Sequence, residues 1–153
     1  MDLIFWRHAE AEDEHDGLAD LDRALTSRGE KQAARVGAWL DRRLPEGTRV
    51  LSSPALRCEQ TALALGRKFK LRDSLAPGAT PAQLLEAAQW PDSRHPVMLV
   101  GHQPALGETL AQLLRIPVGN CAVRKGAVWW LRTRERDGSE QTVLWAVQSP
   151  ETV

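Results

Sequence analysis

The sequence is poor in cysteine. Its two cysteines, Cys58 and Cys121, lie far apart, with neither a CxxC pair nor a Cys/His pattern around them. That excludes a disulfide framework and a zinc site of closely spaced thiolates, and it points to a reducing compartment. Long apolar runs are missing too: the longest are a few residues, against the roughly 20 that a bilayer-crossing helix needs. The start of the chain also lacks the basic stretch followed by an apolar segment that marks a secretory signal. The expectation is a cytoplasmic protein without a membrane segment. There is no excess of either charge, because 20 Lys and Arg stand against 20 Asp and Glu, so nothing global favours nucleic acid or a membrane surface as a partner. Tyrosine is absent while tryptophan occurs six times, a skew that carries no functional reading. Repeats, low-complexity tracts and linkers are absent as well. A chain of 153 residues is long enough to bury a real core, so we expect one domain spanning residues 1–153.

The chain does have short apolar runs that break abruptly into charge. "LIFWRHAEAE", residues 3 to 12, is the first. Leu3 to Trp6 predict a strand buried on both faces, and Arg7, His8, Glu10 and Glu12 follow at its end. "VLSSP" at 50–54 predicts a second strand running into a helix, with Ser53 as N-cap and Pro54 in the first turn. Ala55, Cys58, Ala62, Leu65 and Phe69 form that helix's apolar stripe. "PVMLVGHQP" at 96–104 repeats the opening pattern, an apolar strand breaking at Gly101 into His102. Helical spacing of Ala33, Val36, Leu40 and Leu44 predicts a helix over 27–43, capped by Ser27 with Glu30 or by Thr26, and stopped by Pro45-Glu46-Gly47. Further helices are predicted from Thr80-Pro81 and through Leu106, Leu110 and Leu113. "AVWWLRT" and "TVLWAVQ", joined across Asp137-Gly138-Ser139, predict a closing hairpin.

This order predicts a three-layer α/β/α sandwich, a mostly parallel central sheet with helices on both faces. In such sheets ligands sit beyond the carboxyl ends of the strands. Three predicted strands end in polar positions: Arg7-His8, Ser52-Ser53 leading to Arg57, and Gly101-His102. Converged, they surround one point with two guanidinium groups and two imidazoles. Arginine forks match tetrahedral oxyanions, and a helix N-terminus on the same side favours negative charge. A neutral imidazole there can attack phosphorus and form a phosphohistidine that water later hydrolyses. Two arginines would neutralise the transferring phosphoryl oxygens. Nothing in this chemistry requires a metal or a cofactor, and two arginines oppose a cation at His8, Glu10 and His102. Cys58 falls on an apolar stripe with no C-x5-R loop around it, which makes it core and not a nucleophile. His15 and His95 lack placement after a strand and are read as surface residues. Lys125, before the hairpin, is read either as a solvated lysine or as a collector of acidic substrates.

"RHAEAE", "ALTSRGEKQA" at 24–33, "LSSPALRCEQTA" at 51–62 and "VGHQPAL" at 100–106 resemble, in the same order, the motifs of the histidine phosphatase superfamily. This is the RHG or phosphoglycerate-mutase-like group, and more narrowly the motifs resemble those of its short SixA-type phosphohistidine phosphatases. The resemblance implies a phosphoglycerate-mutase-like fold. It implies Arg7 as first phosphate-binding arginine, His8 as phosphorylated nucleophile, Arg57 as second arginine and His102 as second catalytic histidine. Ala9 stands where many members have glycine, a change also typical of the SixA-like branch. Many members carry a general acid in an insertion or just after the second histidine. This chain has Gln103 there and only a short stretch between Phe69 and Val97. By position, Asp22 and Glu10 are the candidates for such an acid. Without a strong acid, a phosphoramidate such as phosphohistidine is favoured over alkyl phosphate esters, so the implied substrate is a phosphohistidine-bearing protein. A small-molecule phosphomonoesterase and a non-catalytic phosphate-recognising module remain the alternatives.

Overall fold

Leu3 to Trp6 form the middle of β1 (Asp2–Arg7), and all four side chains are completely buried. Successive side chains of a strand point to opposite faces, so this one run feeds two cores. Leu3 and Phe5 enter a core with Leu51, Leu99, Leu106 and Leu110, while Ile4 and Trp6 enter another with Val36, Leu40, Met98 and Val100. A strand covered on both faces has no place for polar alternation, which is why its sequence is an unbroken apolar run.

The computed structural model describes residues 1–153. After β1 come α1 (Ser27–Asp41), β2 (Arg49–Ser52), α2 (Leu56–Leu63), β3 (Lys70–Leu71), α3 (Pro81–Ala88), β4 (Val97–Gly101), α4 (Ala105–Leu114), β5 (Val128–Arg136) and β6 (Ser139–Gln148). The sheet runs in the order β3-β2-β4-β1-β5-β6. β1, β2, β3 and β4 pair in parallel, and the hairpin of β5 and β6 is added antiparallel beside β1. Helices α1 and α2 cover one face through Val36, Leu40, Cys58 and Ala62, and α3 and α4 cover the other through Leu84, Ala88, Leu106 and Leu110. The expected α/β sandwich is the fold. No helix is long and apolar enough to cross a membrane.

Local chemistry sets several boundaries differently from the sequence reading. Thr26, not Ser27, caps α1: its side chain accepts the Gly29 N–H. The helix at 56 starts later than predicted, because Ser53 and Pro54 stay outside it and Ala55 is its N-cap, with no side-chain cap bond. The Ser53 hydroxyl is drawn instead toward the Ala55 N–H and His102. Thr80 forms a full capping box with Gln83. β3 has only two residues, both exposed, and so carries no apolar signature. The hairpin turn places Asp137 and Gly138 at positive φ, the geometry of a type I′ turn.

Candidate active site

Register brings the strand ends level. Arg7 lies opposite Gly101, and Ser52 lies opposite Val100. The residues that follow, His8, Ser53 and His102, therefore leave the sheet side by side at the carboxyl ends of adjacent strands. The His8 N–H is held by the Gly101 carbonyl at 3.2 Å, and the Ser53 N–H by the Val100 carbonyl at 2.9 Å. Arg57 reaches the same place from the first turn of α2. Arg7, His8, Arg57 and His102 line one cavity of about 230 Å³. Arg23, Lys125, Asp13 and Gln103 also face it. A larger hollow of about 580 Å³ lies at the edge formed by β2 and β3, but no histidine lines it.

The contacts of His8 define where its hydrogen sits. His8 Nδ1 lies 2.8 Å from the Ala9 carbonyl, which can only accept, so Nδ1 carries the hydrogen and Nε2 keeps its lone pair. Burial pulls the His8 pKa down to about 4; its bond to the Ala9 carbonyl opposes the shift, and the charges of Arg57, Arg7 and Arg23 add to it. Burial, with His8 and Arg57 adding to it, pulls His102 down to about 3. Both rings are neutral at physiological pH, and their centroids are 5.3 Å apart.

The arginines are held but not satisfied. Arg7 donates to the Val123 carbonyl at 2.9 Å. Arg57 donates to the Asp20 carbonyl at 2.8 Å and to the Asp20 carboxylate at 3.1 Å. Asp20 also pairs with Arg23 at 3.0 Å, and the two guanidinium groups hold its carboxyl below the usual range although desolvation opposes them. The Nε–H groups of Arg7 and Arg57 are buried without any partner. A buried charged donor left unpaired is costly.

Glu10 and Asp22 do not line the cavity. The Glu10 carboxylate accepts from the Thr26 hydroxyl at 2.8 Å, and Asp22 is exposed at the end of a 3-10 turn, Asp20–Asp22. The carboxylate that does line it is Asp13, which the sequence hides among the neighbouring acids of residues 10–16. Gln103 spends both ends of its amide on structure, donating to the Cys121 carbonyl at 2.8 Å and accepting the Gly107 N–H at 2.7 Å. Cys58 lies behind the site, 3.4 Å from His102 Nε2, and burial pushes its thiol up to about 12, so it stays protonated. His15 and His95 are exposed. The sequence did not single out Arg23, which follows no strand end; Lys125, read there either as a solvated lysine or as a collector of acidic substrates, does line the cavity.

These features match a known family. The model of the histidine phosphatase superfamily, branch 1, matches residues 3–80. An uncharacterized protein of Picosynechococcus is 38% identical over 117 residues, covering 71% of this chain and 70% of its own. A phosphohistidine phosphatase SixA homolog of Haemophilus influenzae is 27% identical over 169 residues, covering 98% of this chain and 97% of its own. Among solved structures, that of the SixA protein of Nakamurella multipartitia, named there a putative phosphohistidine phosphatase, aligns with TM-score 0.77 and 28% identity, covering 97% of this chain and 95% of that one. The chain belongs to the histidine phosphatase superfamily, branch 1. By class it is a phosphatase similar to the SixA proteins.

Proposed function

We propose that the protein dephosphorylates phosphohistidine in proteins, through a phosphohistidine intermediate on His8 and without a metal ion. The observation that carries this reading is the convergence of Arg7, Arg57 and His102 on one cavity with a neutral His8 whose Nε2 is bare. His8 attacks phosphorus, Arg7 and Arg57 bind the phosphoryl oxygens, and His102 faces the transferring group. Arg23 and Lys125 add positive charge around the cavity, against one lining carboxylate, Asp13. That balance suits a dianion and disfavours a divalent cation. Gln103, with both amide ends bonded, offers no proton to a poor alkoxide leaving group. A phosphorylated imidazole leaves without that help, which supports phosphohistidine over alkyl esters. The likeness to proteins named phosphohistidine phosphatases supports the same choice.

Asp13 favours a second reading, a small-molecule phosphomonoesterase, because it is a carboxylate within the cavity lining. A positioned acid assists such leaving groups by roughly 10²- to 10⁴-fold. One experiment separates the two: turnover of a phosphohistidine protein, p-nitrophenyl phosphate and phosphoglycerate, each with and without EDTA, by wild type, His8→Ala and Asp13→Asn. We expect kcat/KM to be highest for the phosphohistidine protein, unaffected by EDTA or Asp13→Asn, and abolished by His8→Ala. Rapid quenching should trap acid-labile, base-stable phosphate on His8. Faster turnover of phosphoglycerate, lost in Asp13→Asn, would establish the esterase instead.

A further inference from the structure

Ser53 is completely buried, and its hydroxyl oxygen lies 2.8 Å from His102 Nε2. The Cys58 sulfur lies 3.4 Å from the same nitrogen. Neither residue lines the cavity, so this edge of the ring faces the protein interior. The other nitrogen, Nδ1, lies 3.4 Å from Arg57 Nη2, and Arg57 does line the cavity. A guanidinium group has donors and no acceptor, so at this contact Nδ1 can offer only its lone pair; at 3.4 Å the contact is long, and the 2.8 Å bond to Ser53 is the stronger hold on the ring's hydrogen. A neutral ring has one hydrogen, which therefore sits on Nε2 and is donated to Ser53. The Ser53 oxygen also accepts the Ala55 N–H at 3.2 Å. Both of its lone pairs are then engaged.

We propose that Ser53 is a positioning residue that keeps the Nε2 hydrogen of His102 inside the protein, so that only Nδ1 exchanges a proton with the reacting groups. This rests on the phosphatase reading above. In the second half-reaction, water oxygen bonds to phosphorus as the P–N bond to His8 Nε2 breaks and its electron pair returns to that nitrogen. One proton of the water passes to His102 Nδ1, the other stays on the phosphate, and His102 later returns its proton to solvent. The phosphate dianion leaves and His8 is neutral again. A ring that could flip its hydrogen to Nδ1 would have no lone pair for that water. The location of Ser53 explains why the sequence reading misassigned it: a serine before proline carries the signature of a helix cap, and here its hydroxyl serves the second histidine from the neighbouring strand.

The test is the ¹⁵N spectrum of the histidine rings at neutral pH, with His102 assigned by its loss in His102→Gln, together with kcat and KM for a phosphohistidine protein. Wild type should show a protonated Nε2 and a bare Nδ1 on His102. Ser53→Ala should show a mixture of the two tautomers. Its kcat should fall about 10- to 100-fold, the range for removing a hydrogen-bond partner that orients a metal-ligating histidine, while KM changes less than about 3-fold because the arginines are untouched. A bare Nε2 in wild type overturns the proposal. So does a Ser53→Ala enzyme with the wild-type ring spectrum and kcat within about 2-fold. The predicted ring spectrum in a wild type without turnover would overturn the phosphatase reading, and the positioning role with it, while keeping the hydrogen placement.

Discussion

His8 and His102 owe their neutrality mainly to burial, and this has a consequence for stability as well as for nucleophilicity. In the unfolded chain a histidine titrates near 6.5, whereas in the folded chain the two rings titrate at about 4 and about 3. Between these values and 6.5 the unfolded state binds protons that the folded state does not. The contribution is therefore fully present above pH 6.5 and is lost as pH falls toward the folded values. Each such proton corresponds to about 1.4 kcal/mol per pH unit. Urea midpoints measured at pH 7, 6 and 5 should fall with acidification, and His102→Gln should remove about one proton's share of that slope. An identical slope in the variant would mean that His102 is protonated in the folded protein. The nucleophilicity of His8, by contrast, should persist to pH 5, because its ring is still neutral there.

At the scale of elements, the loop that carries His8 is clamped to the start of α1. The Thr26 N–H is bonded to the Glu10 carbonyl at 3.0 Å, and the Thr26 hydroxyl spans the Glu10 carboxylate and the Gly29 N–H. Gly29 sits directly beneath this loop, where a Cβ would run into the Glu10 carbonyl oxygen. The motif around residues 24–33 thus has a mechanical reason: the helix must carry a hydroxyl at its cap and no side chain three residues on. Overpacking of a close contact typically costs about 1–3 kcal/mol. Gly29→Ala should lower the urea midpoint by a corresponding amount. It should also reduce kcat/KM, since the loop can only move by shifting His8. Unchanged stability would show that the loop yields freely at this point.

At the scale of the whole molecule, four cationic side chains, Arg7, Arg23, Arg57 and Lys125, converge on one cavity in a chain with no net charge. An oxyanion that binds only the folded state must stabilise it, by about 2.7 kcal/mol at a concentration 100 times its Kd. Vanadate or tungstate should therefore raise Tm in a concentration-dependent way. Arg57→Ala should remove most of that rise and slow phosphohistidine turnover by about 10²- to 10³-fold, the cost of losing a preorganised transition-state contact. A full thermal shift in Arg57→Ala would place the anion elsewhere.

What the sequence by itself determined is whatever is written in periodicity and in abrupt breaks of polarity. Leu3 to Trp6 and Val97 to Val100 are continuous apolar runs, so two doubly covered strands, and with them the α/β class, were legible before any coordinates. The breaks at Arg7-His8 and Gly101-His102 were legible for the same reason, since a charge directly after a buried strand must emerge at the rim of the sheet. The tertiary structure alone decided which further side chains meet there. Arg23 reaches the cavity from a 3-10 turn, Lys125 from a long connection, and Asp13 from a run of acids in which every member looks alike in sequence. Glu10 and Asp22 were the acids favoured by position, yet Glu10 is bonded to Thr26 and neither lines the cavity. Ser53 is the clearest case. Local sequence favours a helix cap there, because a serine before proline suits one, but the register of β2 against β4 sets its hydroxyl beside His102. Periodicity depends on a residue's neighbours along the chain, whereas a contact between loops depends on the register of strands that are distant in sequence, and only the folded sheet fixes that register.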